Sequence, residues 1–206
     1  MYRLYYINLD HRIDRKESIL TMLGYTNFPK DKIFRYPAHY YRNHGALGCA
    51  QSHIGVLENF LNSEDEFCVV LEDDFRLKDI DGFSERIEKA CSIKNLDVMM
   101  LSGNLIKHSE QNGEYVRIYD AQTTSGYIVS KKFAPIMLSN FKEAERGLID
   151  SGTNLHDYCI DQYWKRLQIS SNWLSFYPTI GYQESGFSDI EGRNVIYLSD
   201  ITKKRI

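Results

Sequence analysis

The sequence predicts an α/β fold, in which helices flank a central sheet and a smaller, irregular part completes the C-terminal half. Over residues 1–104, short apolar runs alternate with stretches of helical periodicity, which indicates strands alternating with helices. One apolar run, at residues 67–71, has no polar interruption and is typical of a strand buried on both faces, as in a parallel sheet. Over residues 105–206 the pattern changes to a hairpin signal and polar, glycine-containing segments.

The composition indicates a single domain spanning residues 1–206. A chain of 206 residues, of which 43% are hydrophobic, can bury one sizeable core. Its net charge of −3 provides no basic excess, so nucleic acid is not an expected partner. No apolar run approaches the length of a transmembrane helix. The basic residues 203–206 could touch an acidic membrane surface, although a solvated terminus is the favoured interpretation.

The cysteines and the N-terminal residues favour a cytoplasmic protein. The four cysteines form no C-x-x-C pair, and three of them lie in segments that we expect to be buried. This pattern favours reduced thiols and argues against a zinc site. Charged residues are frequent within the first fifteen positions, so no signal peptide is expected.

The elements of the first half follow from their periodicities. Clusters of apolar, β-branched and aromatic residues predict strands at residues 4–9, 32–36, 67–71 and 96–101. Apolar residues at spacings of three and four predict three helices: one that ends at Gly24, one at 47–61 and one at 80–91. Polar residues follow the first and third strands, where ligands bind in open α/β sheets.

The second half is predicted to be less regular. The Asn112-Gly113 pair indicates a hairpin leading into a strand at 115–119. After this strand we expect, in order, a strand at 123–129, a helix from 130 to about 141, a polar connection at 143–154, a helix at 156–167 and a strand at 173–177. Gly126, in the middle of one strand, is expected to mark close approach by a ligand or another backbone.

Three consecutive acidic residues, Glu72, Asp73 and Asp74, follow the strand at residues 67–71. Adjacent carboxylates repel one another, and burying them unpaired is costly. A divalent cation carrying phosphates is the candidate ligand, because ligands bind at the carboxyl ends of such strands. The alternative is a strand that ends in a solvated acidic turn.

Two arginines, Arg12 and Arg15, follow the first predicted strand. Their guanidinium groups could hold the phosphates or base of a nucleotide. The alternative is a pair of surface arginines bonded to Asp10 and Asp14.

His53 lies on the edge of the apolar stripe of the helix at 47–61, and Ser52 points away from that stripe. A ligand contact and an ordinary, satisfied helix-edge histidine are both open interpretations of His53. The second is favoured when this residue is considered alone.

Three motifs of the first half carry a family resemblance. Residues 7–15 read I-N-L-D-H-R-I-D-R, residues 48–53 read G-C-A-Q-S-H and residues 70–74 read V-L-E-D-D. In this order they resemble the I-N-L-D-x-R-x-x-R, G-C-x-x-S-H and hydrophobic-E-D-D motifs of glycosyltransferase family 25. His11 departs slightly from the pattern, because the family often has Arg there.

Three motifs of the second half extend the resemblance to residue 190. Residues 124–130, T-S-G-Y-I-V-S, resemble a family strand with a small-G-Y-hydrophobic-hydrophobic-S pattern. Asp161 fits an Asp of the following helix. Pro178, Gln183 and residues 188–190 resemble the C-terminal P…Q…S-D-I pattern. Residues 143–154 carry no family motif.

The resemblance implies a GT-A-like fold, with a Rossmann-type nucleotide-sugar-binding sheet and a smaller acceptor-side part. Residues 1–104 would form mainly the nucleotide-binding half and residues 105–206 mainly the acceptor-side half. The implied activity is inverting transfer of a sugar, most often galactose from UDP-galactose, to an acceptor hydroxyl. The family includes lipopolysaccharide and collagen hydroxylysine galactosyltransferases, so a glycan, a lipopolysaccharide or a collagen-like protein is the expected acceptor.

The resemblance also gives roles to individual residues. Asp74 is expected to bind Mn²⁺ or Mg²⁺ directly, and Glu72 to bind a metal water or the ribose. Because residues two apart in an extended segment point to the same side, Asp73 is expected to point away from them. The remaining donor-binding candidates are Asn8, Arg12, Arg15, Ser52, His53, Gln183 and Ser188. Asp161 is the first candidate for the general base and Asp189 the second.

Other function classes remain open. A catalytically inactive glycosyltransferase fold could serve as a binding module, although the acidic pair and the arginines argue against decay. A phosphoryl-transfer enzyme would also place acids at a strand end, but a dehalogenase-type nucleophile requires Asp where Glu72 stands. A purely structural protein leaves the polar residues at the strand ends unexplained.

Overall fold

A mixed eight-stranded sheet forms the centre of the computed structural model, which describes residues 1–151, 155–189 and 192–197. The strands are β1 Tyr2–Asn8, β2 Ile33–Pro37, β3 Phe67–Glu72, β4 Phe75–Leu77, β5 Val98–Met100, β6 Asn104–His108, β7 Tyr115–Gln122, β8 Gly126–Ser130, β9 Trp173–Phe176, β10 Gly181–Gln183, β11 Gly186–Ser188 and β12 Arg193–Val195. The helices are α1 Ile13–Gly24, α2 Gly45–Leu61, α3 Phe83–Cys91, α4 Ala134–Ser151, α5 Leu155–Tyr158, α6 Ile160–Tyr163 and α7 Lys165–Gln168. A short 3₁₀ helix covers Lys30–Lys32.

The sheet interleaves strands from the two halves of the chain. Its order is β2-β1-β3-β8-β5-β9-β7-β6, so β8 of the second half lies between β3 and β5 of the first. β1 runs parallel to β2 and β3, whereas β8 runs antiparallel to both of its neighbours. The burial predicted for residues 67–71 is confirmed in β3, but the sheet around it is mixed rather than parallel. An uninterrupted apolar run identifies a central strand without specifying the direction of its neighbours.

Alternate side chains of β3 enter two separate cores. Val70 packs in the core that contains residues of α2 and α4, and Leu71 packs in the core that contains residues of α1 and α3. Both side chains are fully buried. Helices therefore cover both faces of the sheet, as in other α/β proteins.

The second half differs from its predicted elements in several places, and the strands β6, β10, β11 and β12 were not predicted. The polar connection predicted at 143–154 is wrong up to Ser151, because α4 continues to that residue. Ala144 and Leu148 extend the buried stripe of Met137 and Phe141 at helical spacing, although polar residues separate them in sequence. The helix predicted at 156–167 is divided into α5, α6 and α7.

Some predictions concern residues outside the described ranges. These are part of the connection, at 152–154, the end of the S-D-I motif at Ile190, and the basic residues 203–206. Among the residues that are described, no helix has the length and apolar character needed to cross a bilayer.

Candidate active site

The acidic turn after β3 lies in the wall of a solvent-open cavity, which we call the first cavity. Its lining includes Arg15, His53, Glu72, Asp73, Asp74, Gln183, Ser188 and Asp189. Residues from the N-terminal strand-helix turn, from α2 and from the C-terminal segment thus meet at the carboxyl end of β3. This is the position at which an open α/β sheet binds its ligands.

Asp74 has one satisfied and one unsatisfied carboxylate oxygen. Oδ2 accepts hydrogen bonds from Arg15 Nη1 at 3.1 Å and from Gln183 Nε2 at 3.2 Å. Oδ1 is buried and has no hydrogen-bond partner among the described residues. Burial and the nearby charge of Glu72 raise the pKa of Asp74 to about 7, against the attraction of Arg15. A cation at Oδ1 would remove this penalty.

Asp73 lies beside Asp74 rather than pointing away from it. Its Oδ1 accepts from Arg15 Nη1 at 3.0 Å, the same nitrogen that binds Asp74, and its Oδ2 accepts from Asn8 Nδ2 at 2.8 Å. The prediction for Asp73 is therefore wrong. Strand β3 ends at Glu72, so the alternation of an extended segment does not continue through the turn.

The carboxylate of Glu72 is held by the side chains of Thr124 and His53. Oε1 accepts a hydrogen bond from Thr124 Oγ1 at 2.6 Å and lies 3.1 Å from His53 Nε2. The opposite ring nitrogen of His53 lies 3.0 Å from the Tyr127 hydroxyl. Burial alone would raise the pKa of Glu72, but the bonds from His53 and Thr124 bring it below its ordinary value. Glu72 is therefore stabilised as an anion, in contrast to Asp74.

Asn8, the last residue of β1, and Arg12, in the turn that follows, support the site. The buried Asn8 side chain donates to Asp73 and to the Arg12 carbonyl, and it accepts from Arg35 Nε. Arg12 binds both oxygens of Asp14 and also Asp189, at 2.6 Å. Arg12 therefore forms the ion pair with Asp14 that one interpretation predicted. Arg15 instead faces the acidic turn, as the ligand-binding interpretation predicted.

The two α2 candidates are buried. Ser52 donates to the Gly48 carbonyl and accepts from the His39 backbone N–H at 2.9 Å, which holds the 38–41 loop against α2. His39, Tyr40 and Tyr41 of this loop line the first cavity. His53 is fully buried and satisfied by Glu72 and Tyr127. Both residues support the cavity wall.

Asp161 lines an adjoining cavity, which we call the second cavity. Its Oδ2 accepts a hydrogen bond from the Thr123 backbone N–H at 3.1 Å. Thr123 has a φ of 86°, a strained conformation for a β-branched residue and one that clusters at functional sites. Burial raises the pKa of Asp161 above that of an ordinary aspartate.

The two cavities share part of their walls. Residues that line both are Cys49, Glu72, Gln183, Ser188 and Tyr197. Glu72 therefore borders both the cavity that Asp74 lines and the cavity that Asp161 lines. Asp189 borders only the first cavity, where Arg12 and His11 contact its two oxygens.

Several residues that contact the candidate site were not predicted from the sequence. Arg35, Thr124 and Tyr127 each contact a predicted site residue. Thr124 and Tyr127 belong to the T-S-G-Y-I-V-S motif, so that motif was the available signal. Arg35 lies outside all the motifs, and only the parallel pairing of β1 with β2 brings it to Asn8.

Known proteins share features with this chain at the levels of sequence pattern and fold. The model of glycosyltransferase family 25, described as an LPS biosynthesis protein family, matches residues 27–153, which is more than half of the chain. No curated protein gives a significant sequence match.

Three solved structures have a similar fold. A glycosyltransferase involved in the glycosylation of the major capsid of PBCV-1 has a TM-score of 0.57 at 10% identity, covering 92% of this chain and 95% of that one. A mannose-1-phosphate geranyltransferase from Thermus thermophilus has a TM-score of 0.54 at 11% identity, covering 94% and 74%. A197 from STIV has a TM-score of 0.51 at 13% identity, covering 95% and 94%. These similarities confirm the predicted GT-A-like α/β fold.

Proposed function

The chain belongs to glycosyltransferase family 25, and from this premise we propose that it moves galactose from a UDP-sugar to an acceptor hydroxyl in an inverting, metal-dependent reaction. The observation that carries the proposal is Asp74 Oδ1, a buried carboxylate oxygen without a partner among the described residues. Asp74 lines a cavity at the carboxyl end of β3, beside a second cavity that is lined by the half-buried carboxylate of Asp161. One cavity suits a donor and the other an acceptor.

The residues beside Asp74 fit a hard divalent cation. Oxygen ligands suit Mn²⁺ and Mg²⁺, and the unsatisfied Oδ1 is available to such an ion. Asp74 would bind the ion directly. Both contacts to Glu72 use Oε1, so Oε2 is left for a metal water or the ribose. When bound, the ion would neutralise charge that develops on the departing diphosphate.

The donor would occupy the first cavity. Arg15 lines this cavity, bridges Asp73 and Asp74 and donates to the Phe187 carbonyl, and its guanidinium would bind phosphate oxygens of the donor. Gln183 and Ser188 line the same space and are candidate contacts to the diphosphate. Asn8, Arg12, Ser52 and His53 would act by holding these groups in place.

Asp161 is the favoured general base. Its side chain faces the second cavity, and a carboxylate whose pKa is raised by burial is better matched to accepting a proton from a hydroxyl. Asp189 is less suited to this role, because Arg12 and His11 already contact both of its oxygens. An acceptor hydroxyl beside Asp161 would lie in the second cavity, which shares Glu72 with the cavity proposed for the donor.

The acceptor and the compartment are also proposals. The description of the matching family names LPS biosynthesis, which favours a lipopolysaccharide glycan over a collagen-like protein as the acceptor. The four cysteines, all within the described residues, are free, which suits the cytoplasm.

Donor hydrolysis without acceptor tests the proposal. We expect slow release of UDP from UDP-galactose in Mn²⁺, and a loss of at least about 100-fold in Asp74→Asn, because the substitution removes a charged ligand. Asp81→Asn is the matched control, since Asp81 is exposed and lines neither cavity. Full metal-dependent hydrolysis by Asp74→Asn would contradict the metal assignment.

A thermal-shift panel of nucleotide sugars identifies the donor. Stabilisation by one UDP-sugar only when Mn²⁺ is present is the expected result, because a ligand that binds the native state raises its stability. No stabilisation by any nucleotide sugar would instead support an inactive fold that serves as a binding module.

A further inference from the structure

A cysteine, a histidine and a carboxylate come together beside the acidic turn. Cys49 and His53 are four residues apart on α2, so their side chains share one face of the helix. Glu72, at the end of β3, meets them there. One potential ligand atom from each of the three residues lies within 4.8 Å of the other two. The absence of a C-x-x-C pair in the sequence therefore does not exclude a sulfur-containing metal site, because helical spacing and a distant strand supply the ligands.

This ligand set differs in chemistry from the oxygen atoms around Asp74. A thiolate, an imidazole and a carboxylate are the ligands of Zn²⁺ and similar borderline ions, whereas Mn²⁺ and Mg²⁺ prefer oxygen. We propose that Cys49, His53 and Glu72 bind a thiophilic divalent cation such as Zn²⁺, at a site distinct from Asp74 Oδ1.

The surroundings of His53 support this assignment. Its Nε2 faces Glu72 Oε1 at 3.1 Å, a separation at which the two atoms can bind one ion. Its Nδ1 is 3.0 Å from the Tyr127 hydroxyl. Metal-bound histidines characteristically use the other ring nitrogen in such a hydrogen bond, which fixes the orientation of the ring.

The proton balance of binding is simple. Cys49 would bind as the thiolate and release its proton to solvent. His53 would give up the Nε2 proton that it shares with Glu72 and carry its ring proton on Nδ1, directed at the Tyr127 oxygen, so that the neutral ring binds through Nε2. Cys49 and Glu72 both line the cavities, so a fourth position on the ion is open to water. Three protein ligands with one open position are an arrangement that zinc adopts in proteins.

Glu72 is common to this site and to the site proposed for the donor's ion. Zn²⁺ bound to Cys49 and His53 would compete for the Glu72 carboxylate, and excess Zn²⁺ would oppose any activity that requires that carboxylate. The binding itself does not depend on the proposed transferase function.

Titration of the full chain with Co²⁺ alone tests the site. Co²⁺ bound to a thiolate gives a charge-transfer absorption in the near ultraviolet, and we expect this band in the wild type and in the control Cys91→Ser. Cys91 lies on α3 and lines neither cavity. In Cys49→Ser the band should disappear, and competition with Zn²⁺ should show affinity at least about 100-fold weaker.

A measurement on the unaltered protein covers the case in which Cys49→Ser does not fold. Zn²⁺ should protect Cys49, but not Cys91, from alkylation as measured by mass spectrometry of the peptides. The absence of a thiolate band in the wild type, a band that persists in folded Cys49→Ser, or equal alkylation of Cys49 with and without Zn²⁺ would overturn the proposal. None of these measurements uses a donor or an acceptor, so an inactive protein that still binds Co²⁺ through Cys49 would refute only the transferase proposal.

Discussion

Three adjacent carboxylic acids at the end of β3 differ in what surrounds them. His53 and Thr124 stabilise Glu72 as an anion, whereas burial and the charge of Glu72 hold the pKa of Asp74 near 7. Asp73 shares Arg15 with Asp74, and burial raises its pKa as well. Environments that separate the pKa values of neighbouring acids are typical of catalytic sites. The sequence identified the acidic cluster at the end of this strand. It could not separate their environments, because their partners come from four distant segments of the chain.

At the same scale, Asp161 and Asp189 can be distinguished by their different surroundings. We expect Asp161→Asn to lower kcat for sugar transfer by about 10²–10⁴-fold, the usual contribution of a general base, without weakening donor binding. Asp189→Asn should mainly raise the donor KM, because it removes one of the two acidic partners of Arg12 and loosens the C-terminal segment beside the first cavity. Initial-rate kinetics with donor and acceptor varied separately would measure both effects.

The pH profile provides the control for this comparison. A base must be deprotonated, so kcat should fall as the pH falls through the pKa of Asp161, which burial places above that of an ordinary aspartate. This acidic limb should be present in Asp189→Asn. Loss of kcat and of the limb in Asp189→Asn, with Asp161→Asn near the wild type, would reverse the two assignments.

At the scale of elements, the two-stranded ribbon of β4 and β10 connects the acidic turn to the C-terminal segment. Its register places Gln183 opposite Phe75, which directs the Gln183 amide to Asp74. Glu184 also donates its backbone N–H to the Asp74 carbonyl at 2.8 Å. The position of Gln183 therefore depends on how closely β10 packs against β4.

Gly181 allows this close packing. A Cβ atom there would lie 2.2 Å from the fully buried Phe75 ring and 2.9 Å from the Arg76 carbonyl oxygen. Gly126 approaches the same ring, so the close approach predicted at that strand glycine is to a side chain rather than to a ligand or another backbone. The ring is thus packed between two glycines, and neither side has space for a methyl group.

We therefore predict that Gly181→Ala reduces the free energy of unfolding by about 1–3 kcal/mol, the usual cost of overpacking a core. It should also weaken donor binding, because the added methyl group would push β10 from β4 and so move Gln183 away from Asp74. Urea denaturation would measure the first effect, and the thermal shift produced by donor and Mn²⁺ the second. Gly24→Ala is the control, since nothing lies within 4 Å of its Cβ position. Equal urea midpoints for Gly181→Ala and Gly24→Ala would contradict this account.

Elements were predictable where one periodicity continued without interruption. The stripe of α2 and the apolar run of β3 satisfied this condition, and both elements were placed correctly. In α4 the charged residues between Phe141 and Leu148 concealed the continuing stripe. The segment after residue 155 is divided into three short helices. A pattern of apolar residues could not predict this division, because each helix is only four residues long.

At the scale of the whole molecule, the sequence predicted the layers better than the strand order. Alternating strands and helices were enough to predict a sheet covered on both faces. The insertion of β8 between β3 and β5 was not predictable in this way, because pairing between distant strands leaves no local pattern. The same insertion means that the two halves, predicted to bind the nucleotide and the acceptor, share one sheet. Their boundary at residue 104 is therefore not a boundary between separate cores.

This shared sheet predicts one cooperative unfolding transition. The two tryptophans, Trp164 and Trp173, are fully buried and report on the second half, whereas Cys68 is fully buried in β3 of the first half. All three side chains belong to the same core, so disruption of either half should expose the other. In a urea titration, tryptophan fluorescence and pulsed alkylation of Cys68, measured by mass spectrometry, should give the same midpoint. Alkylation of Cys68 at a urea concentration that leaves the fluorescence unchanged would show that the first half opens alone, and the single-domain prediction would then be wrong.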